Sequence, residues 1–375
     1  MSQDQIQERA RLYARLSYAV AVVSFGLGVV YLAFMIIAGS DWLYRLVRLV
    51  GAARFWVVGL YAAGFSLGYT ALAMPLRVYR GFVVERYYGL SRQSFPRWLA
   101  DETKRVALST LMVMALAEIV YALLHWQPQY WWIWAGAIWF VLGVVLSRLA
   151  PVLLIPLFYK QTPLRDEDLR RRIEELLSGT GFSFGGLYVF NLSRTTRKAT
   201  AFLTGLGRSR RVLLADTLLV NLTPEEIVAV VGHELGHHVY GHIWKLLVAN
   251  GMLSFLAFYA AYWVLGLFSL VLGYSGVDDV RTLPLLVGTS AAVAMLVMPL
   301  QSLISRTFES HCDLYAGRRT GHPEHLVGGL EKLAGLNLIQ RRPPRLIHVL
   351  FHDHPSIEER VRRLQHLARQ LQSGT

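Results

Sequence analysis

Residues 246–272 read LLVANGMLSFLAFYAAYWVLGLFSLVL, twenty-seven consecutive positions without a charged side chain. A helix rising 1.5 Å per residue needs about 20 apolar residues to cross a bilayer. Five further stretches lack nearly all charge: 16–39, 55–76, 106–124, 131–157 and 283–305. With 54% hydrophobic and 17% charged residues, the chain reads as mainly α, a polytopic membrane helix bundle with six spans. That composition excludes disorder and collagen-like repeats. A single cysteine, Cys312, excludes an internal disulfide framework. The first span follows a polar segment ending at Arg15 and shows no small-residue cleavage pattern, so it reads as a retained helix. Trp42 to Val50 is too short to span, carries Arg45 and Arg48, and is expected to lie in the interface.

The loops set an orientation. Residues 77–105 hold seven Lys/Arg, 125–130 hold none and 274–282 hold only Arg281. The positive-inside rule then puts the N-terminus, 77–105, 158–245 and the C-terminal tail on the cytoplasmic side, with the arginines of 40–54 running against the trend. Trp126, Trp131, Trp132 and Trp134 read as an aromatic belt at the opposite face. The net charge of +13 is explained by contact with anionic lipid, with no nucleic acid as partner. Inside the membrane, Glu118 and Arg148 are costly unless paired with each other or hydrated in a chamber. Two units result, a membrane domain of four spans (1–157) and a second unit (158–375) with two further spans and two polar regions. The first polar region holds a charged helix, Arg165 to Leu177, and two β-like runs, Gly186–Phe190 and Arg211–Ala215; the tail ends in an amphipathic helix, Ile357 to Leu371.

The sharpest chemical signal is His233-Glu234-Leu235-Gly236-His237. Positions i and i+4 share a helix face, so both imidazoles reach one tetrahedral zinc while Glu234 is placed to deprotonate an activated water. Thr223-Pro224-Glu225-Glu226 is a capping box with proline at the first helical position, so a helix starts there. It is expected to run on through His242 and Lys245 into the fifth span. Two histidines leave a catalytic zinc short of a protein ligand. Glu309 and Asp313, again i and i+4 and just beyond the sixth span, offer a third ligand and a carboxylate to orient a ligand histidine.

These features resemble the integral-membrane zinc metalloproteases of the Ste24 type, the CAAX prenyl proteases of peptidase family M48. The resemblance rests on Tyr88-Gly89-Leu90-Ser91-Arg92-Gln93 with Trp98 to Glu102, on Pro156 to Leu164, on Gly232 to His242, on Arg306, Phe308, Glu309 and Asp313, and on His354-Pro355 with Arg360. It implies a ring of membrane helices around a chamber, with a zincin-like cytoplasmic catalytic domain that contains a small β-sheet. It also implies one Zn2+ per chain on His233, His237 and Glu309, Glu234 as general base, and His354 stabilising the oxyanion. Asp313, His242 and Arg360 would support the ligands. The segment Thr200, Ala201 and Phe202 would be an edge strand pairing with an extended substrate. The implied partners are the bilayer and a peptide or protein substrate, lipidated in CAAX processing. Three departures stand out: Thr200 replaces the family's usual asparagine, Cys312 replaces a usual alanine, and six spans are counted where eukaryotic members have seven.

Other histidines have blander readings. His311, two residues from Glu309, faces away on a helix; His238 also points elsewhere than His237; of His352, Asp353 and His354, only His354 fits the motif. Two other functions are compatible with the sequence. One is a quality-control endoprotease without a prenyl requirement. The other is a transporter or lipid-binding scaffold with a vestigial zinc site, against which the intact ligand set and base argue.

Overall fold

The computed structural model describes residues 3–50, 53–180, 185–205 and 210–373. Six helices are long and apolar enough to cross a membrane. The first runs as α1 (Gln3–Phe34) through a π-helical turn, Met35–Gly39, into α2 (Ser40–Val50). Trp42–Val50 is therefore a continuation of the first spanning helix, not a separate element. The wide turn absorbs the change of face without breaking the helix, and Leu43 and Val47 of α2 are buried. Next come α3 (Arg54–Val78), which continues through a π segment into α4 (Glu85–Tyr87), and α5 (Phe95–Trp126). After α6 (Trp131–Leu149) another π segment leads to α7 (Ile155–Phe158).

One sequence expectation for this half fails, and of the two readings open for Glu118 and Arg148 one is ruled out. Trp131 is 1% exposed, edge-on to Phe258 at 5.9 Å, so it belongs to the helix-packing core while Trp126 and Trp134 stay exposed. Glu118 and Arg148 do not pair: Glu118 lies against Gly59 of α3, and Arg148 is exposed.

The polar unit is built on a four-stranded mixed sheet: β1 (Gln161–Pro163), β2 (Leu187–Phe190), β3 (Ala201–Thr204) and β4 (Arg211–Ala215), in the order β1-β2-β4-β3. β1 carries no apolar alternation and was invisible as a strand; it pairs antiparallel with β2. β2 and β4 run parallel, and β3 returns antiparallel to β4 with Ala201 opposite Leu214. This register leaves β3 on an edge. Against the sheet pack α8 (Glu167–Leu177), α9 (Asp216–Asn221) and α10 (Pro224–Val239), with Ile173, Leu213, Leu214, Ile227 and Leu235 at the centre of their core.

α10 begins as its sequence dictates. The Thr223 side chain accepts from the Glu226 backbone, and the Glu226 side chain reaches back to Thr223. It does not run into the fifth span. It stops at Tyr240, and Gly241 sits in the left-handed region at φ +66°, a conformation glycine adopts without cost. α11 (His242–Val271) then starts in a new direction. After a loop, α12 (Leu283–Thr320) carries the sixth span and its polar extension as one continuous helix; α13 (Pro323–Asn337), α14 (Arg345–Phe351) and α15 (Ile357–Ser373) close the chain.

Candidate active site

α10 and α12 lie side by side, and glycine sets how closely. A Cβ added at Gly236 would lie 3.0 Å from the Cys312 Cα, so a larger residue here would push the two helices apart by a few tenths of an ångström. Gly232 faces Ala316 in the same seam. The consequence is that His233 and His237 on α10 meet Glu309 on α12. His233 Nε2 lies 3.3 Å from Glu309 Oε2, and His237 Nε2 lies 3.1 Å from Glu309 Oε1. Two histidines of one helix and a carboxylate of a helix distant in sequence thus come together.

Asp313, one turn on, is fully buried and accepts from His233 Nδ1 at 2.9 Å. Arg360 of α15 reaches the same carboxylate, Nε to Oδ2 at 2.9 Å and Nη2 to Oδ1 at 2.6 Å. A buried carboxylate left alone would be very costly; this arginine neutralises it. Burial alone would lower the His233 pKa, but hydrogen bonds to Asp313 and Glu309 outweigh it and raise the value to about 9. Glu234 is raised above the ordinary glutamate value, chiefly by burial.

His354 arrives from the loop between α14 and α15, its Nδ1 2.8 Å from Glu309 Oε2. Arg306 of α12 holds the end of α14 and the start of that loop: its Nη1 donates to the carbonyls of His348, Val349 and His352 at 3.1, 3.2 and 2.7 Å. His242 supports His237, Nδ1 to Nδ1 at 3.3 Å, while stacking on Phe308 with centroids 4.0 Å apart. Of the remaining histidines, His311 turns to Tyr240 and His238 Nε2 donates to the Leu203 carbonyl at 3.2 Å.

A cavity of about 380 Å³ opens on this constellation, bordered by His233, Glu234, His237, Glu309 and His354 and, on its other wall, by Ala199, Thr200 and Ala201. Phe202 is not brought to it as a side chain: its ring packs 5.3 Å from Phe190, on the opposite face of the sheet. Alternation along a strand turns Phe202 to the face opposite Ala201. One residue at this wall gave no signal in the sequence. Asn337, the last residue of α13, accepts from Ala199 N–H through Oδ1 at 2.9 Å and donates Nδ2 to the Ala199 carbonyl at 3.0 Å. An asparagine ending an amphipathic helix is too ordinary a feature to single out.

The donor set fits a zinc ion. Bonds of about 2.0–2.1 Å in a tetrahedron keep ligand atoms about 3.3 Å apart; here each histidine Nε2 lies 3.3 or 3.1 Å from one Glu309 oxygen, and one ligand atom from each of the three residues falls within 4.8 Å of the others. Glu309 Oε2 is moreover buried yet makes no hydrogen bond of proper angle, although two imidazoles crowd it. Such an arrangement suits lone pairs converging on a cation better than a hydrogen-bonded network.

Fold and site together define a metalloprotease embedded in the membrane. Residues 163–368 match the model of peptidase family M48, and residues 1–160 match that of the CAAX prenyl protease N-terminal domain, described as five membrane helices. Among the described residues up to 160, four helices are long and apolar enough to span. A CAAX prenyl protease 1 homolog of Arabidopsis thaliana is 32% identical over 77% of this chain and 69% of its own length. An uncharacterized metalloprotease of Bacillus subtilis, YhfN, is 28% identical over 88% of this chain and 81% of its own. The crystal structure of S. mikatae Ste24p superposes with a TM-score of 0.85 at 24% identity, covering 97% of this chain and 89% of that one. The chain belongs to peptidase family M48 and, within it, to the Ste24-type CAAX prenyl proteases. It is a multi-pass integral membrane enzyme acting on peptide or protein substrates.

Proposed function

We propose that this metalloprotease is a zinc endopeptidase that trims the C-termini of prenylated or similarly lipidated proteins, with one zinc per chain held by His233, His237 and Glu309. The observation that carries the metal assignment is the convergence of one ligand atom from each of these three residues to within 4.8 Å of one another, with a buried Glu309 oxygen left unsatisfied among them. When bound, zinc supplies Lewis acidity and makes water nucleophilic near neutral pH. The chain's own residues supply the rest. Asp313 accepts a hydrogen bond from the Nδ1–H of His233, which fixes the tautomer with the lone pair on Nε2 for the ion; Arg360 keeps Asp313 ionised. Glu234 accepts a proton from the attacking water and returns it to the leaving amine, and burial makes it a stronger base than an exposed glutamate. His354, held by its loop at the cavity, donates to the carbonyl oxygen of the scissile bond as charge develops there. The backbone of 200–202, on the edge strand, pairs with the extended substrate.

The relatives described as CAAX prenyl proteases favour the lipidated substrate class. The excess of Lys/Arg in 77–105 favours a cytoplasmic catalytic side. We read the chain as two units, 1–157 and 158–375, the second carrying the whole ligand set.

The test uses two matched peptides, one S-farnesylated on a cysteine fourth from its end and one unmodified. Cleavage of the farnesylated peptide that stops with 1,10-phenanthroline and returns with zinc is the expected result. Equal cleavage of both peptides would replace the lipid-directed reading with a general endoprotease; cleavage insensitive to chelation would remove the zinc.

A further inference from the structure

The edge of β3 that faces the cavity is already occupied at two of its three outward positions. In an antiparallel ladder, backbone groups point alternately toward the partner strand and away from it. The Ala215 N–H donates to the Thr200 carbonyl at 3.0 Å, which turns Thr200 inward to β4. Ala199, Ala201 and Leu203 consequently present their N–H and C=O groups outward. Asn337 satisfies both groups of Ala199, as a neighbouring strand would. At Leu203, His238 donates to the carbonyl at 3.2 Å. Between them stands Ala201; among the described residues its carbonyl is met by the hydroxyl of the preceding Thr200 alone, at 3.4 Å, and its N–H by no acceptor.

We propose that Asn337 and His238 are register-setting brackets, which admit the substrate strand to this edge through the one N–H and one C=O of Ala201. This rests on the reading that the edge of β3 receives the peptide. A strand entering antiparallel exchanges two hydrogen bonds with Ala201 through a single substrate residue; the residues two places before and after it meet side chains already engaged with Ala199 and Leu203. The bracketed edge therefore suits short extended tails, which need one paired residue to be held in register, over long strands that gain from a continuous ladder. Asn337 and His238 act on the substrate through β3, as positioning residues.

The experiment measures the affinity of decapeptides with an S-farnesylated cysteine fourth from the end, each N-methylated at one backbone position, for zinc-loaded protein. All proteins carry Glu234→Gln, so binding is read without hydrolysis. A cleavage assay on the Glu234-containing enzyme separately reports whether the proposed protease reading holds. With both brackets present, N-methylation should weaken binding roughly five- to tenfold at one position only, the loss of one hydrogen bond. Asn337→Ala should create a second sensitive position two residues to one side, and His238→Ala should create it two residues to the other. Generalised damage to the site would not move sensitivity in opposite directions. Three alternating sensitive positions in the bracketed protein overturn the proposal. So does a profile unchanged by both substitutions, or one with no sensitive position, lack of binding included.

Discussion

His237 belongs to two groups of side chains at once. Through Nε2 it meets Glu309 and, with His233, borders the cavity. Through Nδ1 it meets His242, which in turn lies 3.5 Å from the Cys312 sulfur. Both groups have donors close enough to hold a metal ion, and by residue type alone the thiol-containing one would be the stronger zinc site. Their surroundings separate them. The first has an open side with Glu234 and His354 on it, so that a water and a peptide can enter. The second is sealed: Cys312 is fully buried in the seam between α10 and α12, and His242 is clamped against Phe308. The difference teaches that access and a neighbouring base, more than ligand chemistry, mark a catalytic centre. The sealed group orients His237 from behind.

The largest effect that would sharpen this contrast is expected from Glu234→Gln. Peptidase activity should fall by about 10³-fold or more, with full metal content retained by elemental analysis, because Glu234 is placed to move a proton without holding the ion. In the unsubstituted enzyme, the acidic limb of kcat/KM should lie above the ordinary glutamate value, since burial raises the Glu234 pKa and the protonated form cannot act as base. Activity thus rises with pH through that limb; a limb at or below the ordinary value contradicts the assignment. His354→Ala comes next, with kcat reduced on the order of 10²-fold and metal retained. Asp313→Asn should weaken metal affinity about 10- to 100-fold, measured by competition with a chelator, by loosening His233. The smallest effect is expected at the sealed group. Cys312→Ala should leave metal content and activity near wild type and cost on the order of 1 kcal/mol in stability through lost packing. Loss of metal from that variant would break the comparison.

Much of this was legible from local rules. Uninterrupted apolar stretches located the six spans, the capping box located the start of α10, and i, i+4 spacing on two helices brought His233, His237, Glu309 and Asp313 into consideration together. What was not legible depends on contacts between distant segments. The Tyr240–Gly241 break interrupts a pattern that apolar periodicity carries straight through, and only the left-handed glycine reveals it. Burial of Trp131 depends on Phe258 of another helix, and the failed Glu118–Arg148 pairing on which helices become neighbours. Arg306 binds three carbonyls at the end of α14 some forty residues away, and Asn337 binds the backbone of Ala199, just ahead of β3 and 138 residues upstream. No sequence window of helical or strand period contains such pairs.

The most direct test is the zinc content of purified wild type, Glu309→Ala and Cys312→Ala, measured together after dialysis against a weak chelator. One zinc per chain in wild type and in Cys312→Ala, with Glu309→Ala nearly empty, is the predicted result. Retention of stoichiometric zinc by Glu309→Ala would contradict the ligand set on which the account stands.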